Sequence, residues 1–116
     1  MGNPVVQFQI LSKTPDKTAE FYSTLFGWTI SANNAMGYRQ IDTGSKEGIQ
    51  GGIWPAPPQA PEFVQLFMAV SDVRDAVDRA EKLGATTLIP PTLLPDGDEM
   101  AVMLDPQGMS FALWRR

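Results

Sequence analysis

Two helix signals, each closed by a glycine, divide this chain into halves of matching pattern. In the first half, Val5 to Leu11 alternates apolar and polar side chains with period two, the mark of a half-buried strand. Thr14-Pro15-Asp16 then supplies a helix start: a Thr N-cap, proline at the first helical position and an acid in the first turn. Ala19, Phe21, Tyr22, Leu25 and Phe26 fall on one helical face, and Gly27 suits the left-handed residue that ends a helix. Strands are expected at Trp28 to Ile30, Tyr38 to Ile41 and Ile49 to Trp54. After a proline-rich connector, the order recurs. Phe63 to Val70 reads as a strand, and Asp72 as an N-cap. Val73, Ala76, Val77, Ala80 and Leu83 form a helical stripe, closed by Gly84. Thr86 to Ile89 is a strand running into a bend at Pro90-Pro91, and Met100 to Leu104 and Met109 to Trp114 complete the set.

A period of roughly 55 residues points to an internal duplication. Gln7 matches Gln65, Phe26-Gly27 matches Leu83-Gly84, and Trp54 matches Trp114. One helix covers only one face of a four-stranded sheet, so the other face of each half needs a partner. The expected architecture is α+β: two βαβββ modules forming a curled mixed sheet around a cleft. Module 1 covers about 4–54, the connector 55–61, and module 2 about 62–116, within a single domain 1–116.

Composition removes many chemistries. There is no histidine and no cysteine, which excludes Ser-His-Asp and Cys-His catalysis, thiol redox chemistry, disulfides and histidine-ligated metals. The net charge of −4 offers no basic stripe for nucleic acid, and Arg115-Arg116 is the one adjacent basic pair. No apolar run is long enough for a membrane span, and the start lacks the pattern of a signal peptide. Val6 stands where a myristoylation motif would want Ser or Thr. A cytoplasmic protein is expected, with no nucleic acid and no membrane among its partners.

Strand alternation assigns the faces. With Gln7 toward the cleft, Val5 and Gln9 join it, while Val6, Phe8 and Ile10 lie under the first helix. Gln50, Gly52 and Trp54 share the cleft face of the first half's last strand. Gln65, Phe67 and Ala69 take it in the second half, with Leu66, Met68 and Val70 on the second helix. In the final strand Ser110, Ala112 and Trp114 face the cleft and Met109, Phe111 and Leu113 the core. Tyr38, Gln40, Met100 and Met103 are further candidates. The expected ligand-binding set is therefore Gln7, Gln9, Tyr38, Gln50, Gly52, Trp54, Gln65, Phe67, Ala112 and Trp114. Amides and aromatics with few charges suit a small-molecule pocket. Tyr38 alone in this set has acid–base capacity, so no catalytic residue is assigned.

Val6 to Ile10, Thr18-Ala19-Glu20-Phe21-Tyr22, Leu25-Phe26-Gly27-Trp28, Ala69 to Val73, Lys82 to Ala85 and Leu104-Asp105-Pro106-Gln107-Gly108 together resemble the vicinal oxygen chelate superfamily, the glyoxalase/bleomycin-resistance/dioxygenase fold. The resemblance implies four metal ligands in metal-dependent members. They map here to Gln7, Gln65, Ala112 and a position close to Gly52. Two neutral amides without a carboxylate make a poor divalent site, so neither metal nor cofactor is expected. The acidic cluster Asp96, Asp98 and Glu99 reads as a solvent loop around Gly97. The expectation is a metal-free protein that holds an apolar or aromatic ligand between the sheets, with no enzymatic activity assigned. The alternatives are a lyase, isomerase or dioxygenase-type enzyme with an atypical metal site, and a module whose cleft is filled by its own side chains. The resemblance also implies a homodimer.

Overall fold

The computed structural model describes residues 2–32 and 37–115. Met1 and Arg116, at the outer ends of the myristoylation-like start and the basic pair, lie outside the described residues. The elements run β1 (Val5–Ser12), α1 (Pro15–Phe26), β2 (Thr29–Ser31), β3 (Arg39–Asp42), β4 (Gln50–Pro55), β5 (Phe63–Ala69), α2 (Val73–Lys82), β6 (Thr86–Leu93), β7 (Glu99–Leu104) and β8 (Ser110–Arg115). This is βαβββ twice, as the repeat requires. Each half has one strand order. In the first, β1 pairs parallel with β4, and β4–β3 and β3–β2 are antiparallel. In the second, β5 pairs parallel with β8, and β8–β7 and β7–β6 are antiparallel. The fold is α+β.

The chain divides into two compact units, residues 7–65 and residues up to Val6 together with those from Leu66 onward. The start of the chain thus belongs with the second module rather than the first. The Asn3 amide donates to the Ala69 carbonyl at 3.0 Å, and the Ala69 N–H donates to the Pro4 carbonyl at 3.0 Å.

In the second unit α2 covers the sheet through Val73 and Val77, which meet Ala101, Met103 and Leu113 in a buried core, with Val70 and Phe111 at its border. Asp72 caps the helix as expected, its carboxylate accepting from the Asp75 N–H at 3.0 Å. Alternation sends Met103 into this core rather than to the opposite face, which removes it from the site candidates. Met109 stays exposed beside the turn at Asp105.

The first unit packs differently. Successive residues of α1 turn by about 100°, which sets Phe21 and Leu25 to one side of Ala19 and Tyr22, and Phe26 is the last residue of the helix. Ala19 and Tyr22 are half-buried, while Phe21, Leu25 and Phe26 are 58%, 59% and 55% exposed. The helix anchors through an aromatic chain instead: Tyr22 stacks on Trp28 at 5.4 Å, and Trp28 meets Phe8 at 5.8 Å. Gly51 follows from this arrangement, since a Cβ there would come within 2.6 Å of the Phe8 ring. Thr14 makes no side-chain cap. The Ser12 hydroxyl, buried and 2.6 Å from the Thr18 hydroxyl, accepts from the Thr14 N–H and organises the helix start.

Two further expectations change. The bend at Pro90-Pro91 is strand, because β6 is an edge of its four-stranded sheet and its register shifts there. An edge tolerates proline because the missing N–H need not enter a ladder. Leu66, expected beneath α2, is half exposed.

Candidate functional site

The first unit gathers six of the expected residues on one sheet face. Parallel pairing sets Gln7 opposite Gln50, Gln9 opposite Gly52 and Leu11 opposite Trp54, and antiparallel pairing sets Gln40 opposite Gly52. Tyr38 stands one residue before β3, two residues from Gln40, and so reaches the same face.

Tyr38 organises this face. Its phenol oxygen accepts from Gln7 Nε2 at 3.1 Å and from Gln9 Nε2 at 3.2 Å. Its ring lies 4.6 Å from that of Trp54, tilted by 43°. A Cβ at Gly52 would overlap the Tyr38 hydroxyl, so the phenol uses the volume that any side chain at position 52 would need. Burial raises the Tyr38 pKa above that of a free tyrosine, and the Gln9 and Gln7 hydrogen bonds oppose the shift. The phenol is neutral at pH 7.

Gln9 is 3% exposed, and its Oε1 is buried with no hydrogen-bond partner among the described residues. Its nitrogen is committed to Tyr38 while its oxygen is not. Gln50 is different. Its Oε1 accepts from the Thr43 N–H at 2.6 Å and its Nε2 donates to the Ser45 carbonyl at 3.1 Å, so the amide secures the β3–β4 loop. Gln65, also within this unit, is buried at 4%.

In the second unit, Phe67 and Ala112 are register partners and pack with Val102 in a buried cluster on the face away from α2. Met100 and Trp114 border it, and the Trp114 indole N–H donates to Asp98 at 3.1 Å. Ala112 is 0% exposed, so it leaves no open space of its own. Val102 and Asp98 were not among the expected site residues. Alternation from Met100 marks Val102, but nothing in the sequence joins Asp98 to Trp114. Glu99 is not a solvent-loop residue either. It opens β7, is buried, and lies 3.4 Å from Arg74 and 3.7 Å from Arg115.

Three grooves of the surface lie elsewhere. One of about 470 Å³ runs past Ser12, Lys17, Phe21 and Glu62, and a second of about 560 Å³ past Glu20, Phe21 and Leu25. A third, about 260 Å³, follows α2 past Asp72, Arg79 and Leu83. None is lined by a residue of the expected set.

The residues at the positions implied for metal ligands do not fit a divalent ion. Such an ion needs oxygen donors, preferably charged. Gln7 and Gln9 turn nitrogen toward Tyr38, position 52 has no side chain, and Ala112 is packed in apolar surroundings. Among the described residues no group of three or more acidic side chains converges. Nor is any helix among them long and apolar enough to cross a membrane.

Comparison with known proteins bears on the family and the fold. The glyoxalase-like domain profile matches residues 7–114. The Mycobacterium tuberculosis protein CFP32, a glyoxylase by name, is 31% identical over 112 residues, covering 89% of this chain and 42% of that protein. The anthracycline biosynthesis protein DauV of a Streptomyces species is 27% identical over 135 residues, covering 94% of this chain and 46% of that one. The chain thus spans less than half the length of either relative. A hypothetical protein of Bacillus halodurans superposes with a TM-score of 0.72 at 11% identity, covering 100% of this chain and 96% of that one, which is a likeness of fold.

Proposed function

The chain belongs to the glyoxalase-like domain family of the vicinal oxygen chelate superfamily, and from that premise we propose that it binds a small apolar or aromatic molecule without a divalent metal. The observation that carries this reading is the group formed by Gln7, Gln9 and Tyr38 beside Trp54. Neutral hydrogen-bonding groups next to aromatic rings favour a flat organic ligand over an ion or a phosphate. Tyr38, Gln7, Gln9 and Trp54 are the contact residues of this reading, and Gly52 is the residue that makes room for Tyr38. The face of Phe67, Ala112 and Trp114 is a second apolar contact surface to be tested separately. The Streptomyces relative's name ties that protein to anthracycline biosynthesis, a chemistry of flat aromatic rings. That supports an aromatic ligand here.

The competing reading is a lyase, isomerase or dioxygenase with an unorthodox metal site, favoured by the glyoxylase name of the mycobacterial relative. Elemental analysis of protein purified without chelator, beside a thermal-shift series with added divalent metals, separates the two. No stoichiometric metal and no metal-dependent shift, together with saturable stabilisation by aromatic compounds, is the expected result. Near-stoichiometric metal would overturn it. We also propose that the protein is a homodimer in the cytoplasm. Light scattering at micromolar concentration should return twice the chain mass, and a monomer would overturn the dimer.

A further inference from the structure

On the Tyr38 face, the buried Gln9 carbonyl stands without a hydrogen-bond partner among the described residues. Backbone and side-chain polar atoms that leave water nearly always find a partner, and one left unanswered weakens the fold. Gln9 is held with its nitrogen on the Tyr38 phenol, which leaves its oxygen as a buried acceptor with no donor among the described residues. The Gln7 amide makes the same bond to the same phenol, so Gln9 is not needed to hold Tyr38. An apolar residue of similar length would fill the position without the orphaned atom. The half-buried groups beside it are the rings of Tyr38 and Trp54.

We propose that Gln9 Oε1 is a specificity-determining acceptor, which reads an O–H or N–H donor on the ring of the bound ligand. This inference rests on the binding reading above and narrows it. The ligand class is a neutral aromatic molecule carrying a hydroxyl or an amine, entering beside Tyr38 and Trp54 with its donor directed at Gln9. An ether, ester or carboxylate at the same place on the ring would set acceptor against acceptor. Site selection of this kind is strong, because a mismatched ligand leaves a buried polar group unpaired.

The test uses two probes that differ only in the donor, 2-naphthol and 2-methoxynaphthalene, measured by equilibrium dialysis on the full chain and on Gln9→Met. The expected result is at least tenfold tighter binding of 2-naphthol to the unmodified chain. In Gln9→Met, 2-naphthol should lose its advantage over 2-methoxynaphthalene. Equal binding of both probes to the unmodified chain overturns the inference and leaves the binding reading standing. Tighter binding of the methyl ether overturns it too, since the amide would then present its nitrogen. If neither probe binds, the binding reading falls and the inference with it. The wild-type comparison needs no variant, so a Gln9→Met chain that failed to fold would not rescue the proposal.

Discussion

Gly52 lies directly beneath the phenol of Tyr38, so closely that the two positions cannot both carry side chains. The pairing is reciprocal: the glycine exists for the tyrosine, and the tyrosine takes a place on the sheet that strand alternation assigns to position 52. Its hydroxyl is then fixed by two amides from β1 rather than by an element of its own.

Gly52→Ala should therefore destabilise the protein by about 1–3 kcal/mol, the usual cost of overpacking. The same change in a Tyr38→Ala background should cost far less. Urea unfolding of the four chains in this double-mutant cycle measures the coupling. Additive effects would mean that the overlap does not govern position 52.

A second prediction concerns pH. Burial raises the folded-state pKa of Tyr38 above its unfolded value of about 10. Its neutral form is favoured by folding, so its contribution is complete below about pH 10. As pH rises beyond that, the unfolded chain loses the proton first and stability falls, until the folded-state pKa is passed. Tyr38→Phe should flatten this alkaline decline. Denaturant midpoints between about pH 8 and 11 test it, with Tyr22 common to both chains; identical slopes would contradict the shift.

The two helix starts should respond in opposite ways to alanine. Asp72→Ala removes a cap bond to the Asp75 N–H and should cost about 1 kcal/mol. Thr14→Ala removes no cap bond and should change stability by less than about 0.5 kcal/mol. Ser12→Ala should cost more than Thr14→Ala, because Ser12 holds both the Thr14 N–H and the Thr18 hydroxyl. Thermal unfolding ranks the three.

Apolar content on the two helices should also count differently. Leu25→Gln on α1 should alter unfolding stability by only about 0.5 kcal/mol, since its side chain is more than half exposed. Met103→Ala, beneath α2, should cost about 2–5 kcal/mol as a buried cavity. Equal losses would place α1 against a surface that the chain itself covers.

The repeat was legible because period and punctuation survive in both halves: alternation in β1 and β5, the acid cap at Asp72, and the glycines at 27 and 84. The face assignments followed wherever a strand was long enough to fix its phase, as for Gln7, Gln9, Phe67 and Ala112. Legibility ended where a decision depended on neighbours distant in sequence. Apolar spacing along α1 predicts one buried face, yet Trp28, two residues past the helix, takes the contacts that Phe21 and Leu25 do not make. Gln50 lies on the expected face, but a neighbouring loop claims its amide. Glu99 has acidic neighbours in sequence and two arginines in space. A proline pair is a strong break signal until the strand containing it proves to be an edge.

The clip that joins Asn3 and Pro4 to Ala69 has a consequence for how the molecule is made. Asn3 waits for a partner that is translated more than sixty residues later, whereas residues 7–65 can begin to assemble once their own stretch has emerged. Non-local closures of this sort are slow relative to local ones. During synthesis the segment around Asn3 and Pro4 therefore stays unpaired, and open to proteases, until Ala69 has emerged. Damage there would be felt in the unit formed with Leu66 and the residues after it, which has not yet been built.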